Sequence, residues 1–306
     1  MNIFRMMLLA GIVLALAGCK KNGTFVHFKV KFDPLQERLN STGIPVGVTA
    51  GKSAQTPLIN SIGINSLELS FNSNVPIGKG SVVYNMPETQ NGDSKYFDVS
   101  QITKAQDGDI ILSIPIKDIP KGKYEWIRAG ITYQNFDIQF NLLNAPSAGN
   151  FMDERGTMAV VTGANNFISK LKIFNREQTI DAAKKQGFWM FESKLSPGYA
   201  SYNTIYQGQM AANSITFVNP IAQTSPIPKE ANIITGRMDT PLSILGNEEG
   251  DITVVLSFSC NKIFEWDDTV NRNGKWDIDQ KGASTTPSIE AITDVGLRGM
   301  RAYIQN

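Results

Sequence analysis

Strict alternation of apolar and polar residues is the feature that most narrows the fold of this chain. In the segment FVHFKVKF, Val26, Phe28, Val30 and Phe32 occupy every second position, and polar residues lie between them. Successive side chains of a β-strand point to opposite faces, so this pattern predicts a strand with one buried face. Pro34 ends the strand, because proline has no N–H to donate to a sheet. The sequence therefore predicts a β-strand as the first regular element after the N-terminal segment.

Further segments of the same kind follow at short intervals. Turn signals such as Asn91-Gly92 and Asp107-Gly108 separate them. Short alternating strands joined by turns are typical of an antiparallel β-sandwich. We therefore predict an all-β fold, with strands at SLELSF from Ser66, GSVVYNM from Gly80, DIILSIPI from Asp109, KYEWIRAGITYQNFDIQFNLL from Lys123 and DITVVLSFS from Asp251.

The sequence constrains the division into domains less than it constrains the fold class. Residues 144–156 contain one proline and two glycines and are the best candidate for a boundary or a long crossover. This gives an N-terminal β-sandwich region at residues 24–145 and a C-terminal β-rich region at residues 146–306. Two sandwich domains and one sandwich with a large insertion both fit the sequence.

One segment allows either a helix or a hairpin. REQTIDAAKKQG, residues 176–187, contains good helix formers, with Asn175 as a candidate N-cap and Gly187 as a candidate C-cap. A helix of this length is marginal when isolated. A hairpin that turns at residues 185–187 into the following strand fits the same residues, and both alternatives stay open.

The first 18 residues have the organisation of a signal peptide. Arg5 supplies an early positive charge, an apolar run extends from Met6 to Leu16, and the sequence LAGC ends at Cys19. An apolar run of this length is too short to span a bilayer, so it predicts a cleaved leader and not a membrane helix. The cleavage site resembles the lipobox of bacterial lipoproteins. An ordinary secretory signal with an incidental cysteine is the alternative.

The lipobox resemblance implies lipidation at Cys19. The cysteine thiol takes a diacylglycerol, the leader is removed before it, and the new amine is acylated, commonly with palmitate. Several acyl chains give stable anchoring, whereas one is marginal. We therefore predict a protein that is lipid-anchored to the bacterial cell envelope, at the outer membrane, with residues 19–23 as a tether. The sequence leaves open whether it faces the periplasm or the cell surface.

Charge and histidine content exclude several classes of function. The leader removes Arg5 from the 29 basic residues of the whole chain, which leaves 28 basic and 28 acidic residues. Nucleic-acid binders usually carry a strong positive charge, so no nucleic-acid partner is expected. His27 is the only histidine, which excludes a Ser-His-Asp triad and a multi-histidine metal site. We expect a non-enzymatic protein, and a glycosidase with two carboxylates is the remaining enzymatic alternative.

Cysteine content gives no covalent cross-link within the fold. If Cys19 is lipidated, Cys260 has no partner for an intramolecular disulfide. Cys260 lies in the apolar run DITVVLSFSCNKIF, which predicts a buried thiol that packs as a small hydrophobic residue.

The densest group of oxygen-bearing side chains is EWDDTVNRNGKWDID, residues 265–279. Calcium takes oxygen ligands that a tight turn brings together, and Gly274 supplies such a turn. The loop resembles a short bacterial DxNxNG calcium loop with one residue inserted after the first aspartate. The candidate calcium ligands are Asp268, Asn271, Asn273, Asp277 and Asp279.

Comparison with the EF-hand loop exposes two mismatches. Position one is Thr269, and position twelve is Gln280, which cannot supply a bidentate carboxylate. The alternative to a calcium site is a hairpin turn rich in Asp and Asn, with Asn273-Gly274 as the turn pair. If calcium binds, its expected role is structural, because one ion would restrain a long loop.

Aromatic residues give a second indication of binding. Trp266 and Trp276 flank the acidic loop and are candidate ligand-binding residues for a sugar, which aromatic faces and calcium can bind together. Core packing is the simpler explanation for Trp126 and Trp189, because both lie in predicted strands.

The sequence also resembles known lipoproteins outside the lipobox. The segments FVHFKVKFDP, IPKGKYEWIRAGI and PLSILGN, followed by DITVVLSFS, resemble uncharacterised lipoproteins typical of Bacteroidota. The Pro-x-Gly-x-Tyr pattern at Pro120, Gly122 and Tyr124 is faintly similar to the MbnP-like family of copper-associated periplasmic β-sandwich proteins. The resemblance implies a β-sandwich and brings no known activity. Its motifs contain no metal ligands, so copper is not indicated.

These observations together predict a membrane-anchored envelope lipoprotein that acts as a non-enzymatic binding or structural module, with calcium as a candidate stabilising ion. The expected partners are the membrane, through the N-terminal lipid, and a glycan or an envelope protein. A surface carbohydrate-binding module and a glycan-active enzyme are the alternatives.

Overall fold

β-strands make up nearly all of the regular structure. The computed structural model describes residues 23–40, 44–210, 232–281 and 286–305. Strands account for 59% of the structure, and the described residues contain no α-helix, only two short 3-10 turns at Ile116–Asp118 and Ala200–Tyr202. The prediction of an all-β fold is confirmed. Cys19 and the leader lie outside the described residues.

The strands vary in length from two residues to 24. In chain order they are β1 (Phe25–Asp33), β2 (Ser53–Gln55), β3 (Leu58–Ser70), β4 (Ser81–Asn85), β5 (Thr89–Asn91), β6 (Ser94–Asp98), β7 (Lys104–Ala105), β8 (Ile110–Pro115), β9 (Gly122–Ala145), β10 (Gly149–Val161), β11 (Asn166–Lys172), β12 (Glu177–Lys184), β13 (Phe188–Lys194), β14 (Ile205–Gln209), β15 (Ile233–Ile244), β16 (Ile252–Ser259), β17 (Phe264–Trp266), β18 (Trp276–Asp279), β19 (Ser288–Ile289), β20 (Ile292–Val295) and β21 (Met300–Gln305).

A mixed sheet of 14 strands forms the body of the protein. Its main path runs β14-β13-β10-β9-β15-β21-β16-β1-β8, and β3, β4, β7, β18 and β19 branch from it. The long strand β9 is central, because it pairs with β3, β10, β15 and β18. From Ile127 to Phe136 every residue of β9 is buried, which indicates that other elements cover both faces there.

The two halves of the chain share this sheet and one core. β1 pairs in parallel with β16 from Val26 to Asp33, so Phe28 lies beside Val254 although the two are far apart in sequence. One cluster of buried hydrophobic residues extends from Val26 to Ala302. The proposed boundary at residues 145/146 falls instead in the hairpin that joins β9 to β10. We therefore correct the sequence interpretation: this position does not separate two cores.

Residues 176–187, for which the sequence allowed a helix or a hairpin, contain the strand β12. β12 pairs with β11 in an antiparallel hairpin and alternates between exposed and half-buried residues along its length. The alternative of a helix over residues 176–187 is therefore wrong. The predicted turn at residues 185–187 is present, but the predicted hairpin is not, because β13 pairs with β10 and β14 in the main sheet and not with β12. The β12-β11-β6-β5 sheet packs over a second, smaller hydrophobic cluster, which includes Ile168 and Leu171.

Candidate functional site

The acidic loop connects two strands that are held in different sheets. It leaves β17, which pairs with β2 and β20, and it ends at β18, which pairs with β9. A tryptophan marks each end, and each indole donates a hydrogen bond inside the protein. Trp266 Nε1 donates to the carbonyl of Lys275 at 3.1 Å, and Trp276 Nε1 donates to the carbonyl of Glu290 at 2.9 Å. The two indoles therefore fix the ends of the loop.

Both tryptophans are core residues. Trp266 and Trp276 are each 0% exposed, and the Trp276 ring packs edge-on against Phe191 and Phe264, with centroids 5.0 and 5.5 Å apart. Edge-to-face packing of this kind is typical of aromatic clusters in protein interiors. The prediction that these two rings stack on a surface ligand is therefore wrong, because neither face is open to one.

Asp268 closes the turn of the loop. Its carboxylate accepts hydrogen bonds from the backbone N–H of Asn273 at 3.2 Å and of Gly274 at 2.7 Å. Ser53 Oγ, from β2, donates a further bond at 3.0 Å. Gly274 has φ +74°, a left-handed conformation that costs glycine little. The asparagine and glycine therefore form a turn that Asp268 stabilises.

Asp277 is the buried centre of the loop. Its side chain is 0% exposed, and Asn141, its register partner on β9, donates from Nδ2 at 2.7 Å. The side-chain amides of Asn271 and Asn273 donate to the other carboxylate oxygen, at 3.0 and 3.2 Å. Three of the predicted ligand residues therefore meet at one place.

Glu290 belongs to the same cluster, and the sequence analysis missed it. It is 2% exposed and accepts backbone hydrogen bonds from Thr269 at 2.7 Å, Val270 at 2.9 Å and Asp277 at 2.9 Å. Burial, together with the nearby charge of Asp277, raises the pKa of the Glu290 carboxyl. No sequence signal marks this residue, because it stands alone among apolar residues beyond the loop.

Asp279 does not join the cluster. Its carboxylate accepts a hydrogen bond from Asn144 Nδ2 at 2.8 Å and another from the backbone N–H of Lys281 at 2.8 Å. These hydrogen bonds, the one from Asn144 foremost, lower the pKa of Asp279. The structure therefore divides the predicted ligand set, and Glu290 approaches the cluster where Asp279 does not.

The two buried carboxylates of this cluster, unlike the other buried carboxylates, have no arginine partner among the described residues. The described residues contain five buried carboxylates: Glu68, Glu192, Glu265, Asp277 and Glu290. The first three each have an arginine within ion-pair distance: Arg128, Arg176 and, for Glu265, both Arg38 and Arg298. In the described ranges, Asp277 and Glu290 form no ion pair. The same ranges contain no group of three or more His, Cys, Asp or Glu side chains arranged to hold a metal ion.

A second candidate site is a groove on the outer face of the main sheet. A cavity of about 850 Å³ adjoins another of about 490 Å³, and the two share Asp239 and Arg301. The lining of the larger cavity includes Lys123, Glu125, Trp126, Arg237 and Met238, and that of the smaller includes Lys31, Glu37 and Tyr303. We call the two cavities together the groove.

One row of paired residues crosses the floor of the groove. Strand register places Trp126 beside Arg237, Arg237 beside Arg301, Arg301 beside Ser257, and Ser257 beside Lys31. Directly paired residues project from the same face of a sheet. The row therefore runs from β9 through β15, β21 and β16 to β1, with two arginines side by side.

Neither of the two arginines is paired with a carboxylate of the described residues, although Glu125 and Asp239 line the same cavity. Within the described part of the chain, neither Arg237 nor Arg301 forms an ion pair or a side-chain hydrogen bond, whereas Lys31 pairs with Asp33 at 3.6 Å. Trp126 is partly exposed, and no described ring stacks on it. The sequence analysis assigned Trp126 to core packing because it lies in a strand. Its place in this row could not be predicted, because the row is built by pairing between strands that are distant in sequence.

The single histidine and the buried cysteine occupy unremarkable positions. His27 Nδ1 lies 2.7 Å from Ser113 Oγ, and its Nε2 lies 3.4 Å from Asp251. Cys260 is 2% exposed, and burial raises the pKa of its thiol to about 12. The predicted burial of Cys260 is confirmed, and a thiolate is disfavoured there.

Comparisons with known proteins give no assignment. No family model matches the chain, and neither a curated protein nor a solved structure matches it. The resemblance to Bacteroidota lipoproteins and to MbnP-like proteins therefore stays a prediction. Among the described residues, no helix has the length and apolar character needed to cross a membrane.

Proposed function

We propose that this protein is a lipid-anchored, non-enzymatic binding module of the bacterial cell envelope. The observation that carries the binding role is the groove, because its paired arginines are accessible and lack carboxylate partners in the described structure. Like charges placed directly opposite each other in a sheet destabilise it, so folding alone does not account for this pair. The lipid anchor rests on the lipobox at Cys19.

The short segment between Cys19 and the first strand fits a protein held close to the membrane surface. β1 begins six residues after Cys19, and six extended residues span about 20 Å at most. The Thr24 carbonyl accepts a hydrogen bond from Ile116 N at 2.9 Å, so the fold is secured directly after the tether. The start of β1 would therefore lie close to the membrane. Lys31, at the end of the groove, lies six residues further along β1, about 20 Å away.

A substitution at the anchor tests the proposed location. The wild-type protein, expressed in a bacterium with lipoprotein processing, should fractionate with membranes and carry the added mass of a diacylglycerol and an acyl chain. Cys19→Ser should lose the added mass and leave the membrane fraction, whereas Cys260→Ser, the matched control, should keep both. An unmodified wild-type protein would contradict the anchor and leave the groove proposal untouched.

We also propose that a calcium ion stabilises the acidic loop. The supporting observation is that Asp277 and Glu290 are buried neighbours without an arginine, unlike the other three buried carboxylates. Burial of unpaired charge is costly, and a divalent cation would offset it. Half a turn of the Asn271 amide would direct its oxygen inward, which gives the oxygen-rich ligand set that calcium takes.

Thermal melts in chelator and in calcium test this second proposal. At about 100 times the dissociation constant, a bound ion adds roughly 2.7 kcal/mol, which raises the melting midpoint by several degrees. Asp277→Asn removes the charge, keeps the shape, and should abolish the calcium-dependent rise. Asp279→Asn, outside the cluster, should retain it. A wild-type midpoint that is the same in calcium and in chelator would reduce the loop to a hydrogen-bonded turn.

A further inference from the structure

We propose that the groove binds an anionic oligosaccharide, a sugar chain that carries spaced carboxylate or sulfate groups. This inference rests on the proposed function, because it names the ligand class of the same binding module. Arg237 and Arg301 would bind the acidic groups, and Trp126 would pack against a sugar ring.

The arginine pair supplies the anion recognition. Arg237 and Arg301 are register partners on adjacent parallel strands, which lie about 4.8 Å apart. Each guanidinium is a planar fork of N–H donors that suits the paired oxygens of a carboxylate or sulfate. An anion bound between them would relieve the repulsion of the two positive charges. The pair is therefore a better anion site than either arginine alone.

Trp126 supplies the preference for a sugar. It is the register partner of Arg237 and lines the larger cavity, where it is partly exposed. An indole offers a flat apolar surface beside a polar N–H, which suits the apolar face of a sugar ring whose hydroxyls remain in water. The aromatic surface and the anion site are thus immediate neighbours.

The dimensions of the groove favour an oligomer over a single sugar. The row crosses five strands, β9 to β1, and four interstrand spacings of about 4.8 Å amount to roughly 19 Å. The two cavities adjoin each other, because Arg301 and Asp239 line both. A single monosaccharide would occupy only a fraction of this length.

The acidic residues of the groove argue against a uniformly charged polymer. Glu125 and Asp239 line the larger cavity, and Asp33 and Glu37 line the smaller one. These carboxylates would repel a nucleic acid, which carries a charge on every nucleotide. A sugar chain with separated charges can place its acidic groups at the arginines and its neutral rings beside the carboxylates.

Titration calorimetry with defined oligosaccharides tests the proposal. The protein is the mature chain with Cys19→Ser, and the probes are hexagalacturonate, its methyl ester and a chondroitin sulfate hexasaccharide. At least one of the two acidic probes should bind, and the neutral ester should bind at least tenfold more weakly. Failure of both acidic probes, or equal binding of the ester, would overturn the proposal.

Variants locate the binding in the groove. Arg237→Gln and Arg301→Gln should each weaken binding about tenfold or more, because each removes a charged bidentate partner. Trp126→Ala should weaken it about tenfold, and Trp126→Phe should restore most of the loss. Arg155→Gln, an exposed arginine outside the groove lining, should bind as the wild type does. Unchanged affinity in both groove arginine variants would place the site elsewhere and reject the inference.

Two further readouts separate this inference from its alternatives. Relief of like-charge repulsion predicts that Arg237→Gln and Arg301→Gln melt no lower than the wild type, so lost binding cannot be attributed to unfolding. Polyglutamate or oligodeoxythymidylate that binds as tightly as the sugars would refute the saccharide class. Oligosaccharides that are shortened by the wild type but not by Arg237→Gln or Arg301→Gln would refute the non-enzymatic function and still support the groove as the sugar site.

Discussion

Removal of the Glu290 carboxylate should destabilise the protein, because this side chain anchors the backbone of the acidic loop. Its two oxygens accept three backbone hydrogen bonds, from Thr269, Val270 and Asp277. A buried N–H that loses its acceptor costs about 1 to 3 kcal/mol. The bond from Asp277 is buried and those from Thr269 and Val270 are part-buried, so the low end of this range applies, and Glu290→Ala should lower the free energy of unfolding by about 3 kcal/mol. At about 2 to 4 °C per kcal/mol for large domains, the midpoint should fall by roughly 6 to 12 °C.

The measurement is a pair of thermal and urea melts at neutral pH in chelator. Glu290→Gln keeps one oxygen, which can serve two of the donors, so it should lose about a third as much stability as the alanine variant. Glu88→Ala, at an exposed glutamate, should match the wild type. A Glu290→Ala protein within about 0.5 kcal/mol of the wild type would show that water satisfies these donors and would refute the reasoning.

The raised pKa of Glu290 adds a pH dependence to the same comparison. The ordinary value is 4.5, and the folded protein holds the proton more tightly than the unfolded chain does. Between that value and the raised one, the folded state therefore binds more protons, and stability falls as pH rises. Glutamine does not titrate, so the stability advantage of the wild type over Glu290→Gln should be larger near pH 4.5 than at neutral pH. An advantage that grows with pH would contradict this sign.

Three other substitutions or modifications test the fold. Glu192→Ala should lower stability by about 3 kcal/mol in urea melts, because Glu192 accepts backbone bonds from residues 174, 175 and 176; an unchanged midpoint would argue against it. Gly156→Ala should cost about 1 to 3 kcal/mol, since an added Cβ would overlap the ring of Phe191, and wild-type stability would mean that the ring moves freely. Cys260 should resist iodoacetamide in the folded protein and react on unfolding, as mass spectrometry would detect; fast labelling of the native state would contradict its burial.

Local pattern was sufficient to predict several of the longer strands, such as β1, β9 and β16. The alternation around Val26 and Phe28 predicted β1, and the turn at residues 185–187 was also predicted, but the strand before that turn pairs with β11 and not with the strand after it. The pairing of strands was beyond reach, because β1 joins β16 across more than 200 residues and no local residue specifies that choice. The misplaced boundary at residues 145/146 has the same cause.

The candidate sites show the same limit at the level of single residues. Asp268, Asn271, Asn273 and Asp277 were identified because they are neighbours in sequence as well as in space. Glu290 approaches them only through the pairing of β18 with β19, which a single sequence does not reveal. Trp189 packs in the core as predicted, whereas Trp126, Trp266 and Trp276 were assigned to the wrong roles for a related reason. Flanking an acidic loop says nothing about burial, and lying in a strand says nothing about which face is covered.

The position of β1 within the sheet has a mechanical consequence. β1 is an interior strand, with β16 parallel on one side and β8 antiparallel on the other. A force applied to the N-terminus acts along the axis of this strand, so the hydrogen bonds to both neighbours are loaded together in shear. An edge strand pulled along its axis would be held by hydrogen bonds on one side only. The fold is therefore arranged to resist traction applied at the N-terminal end of β1.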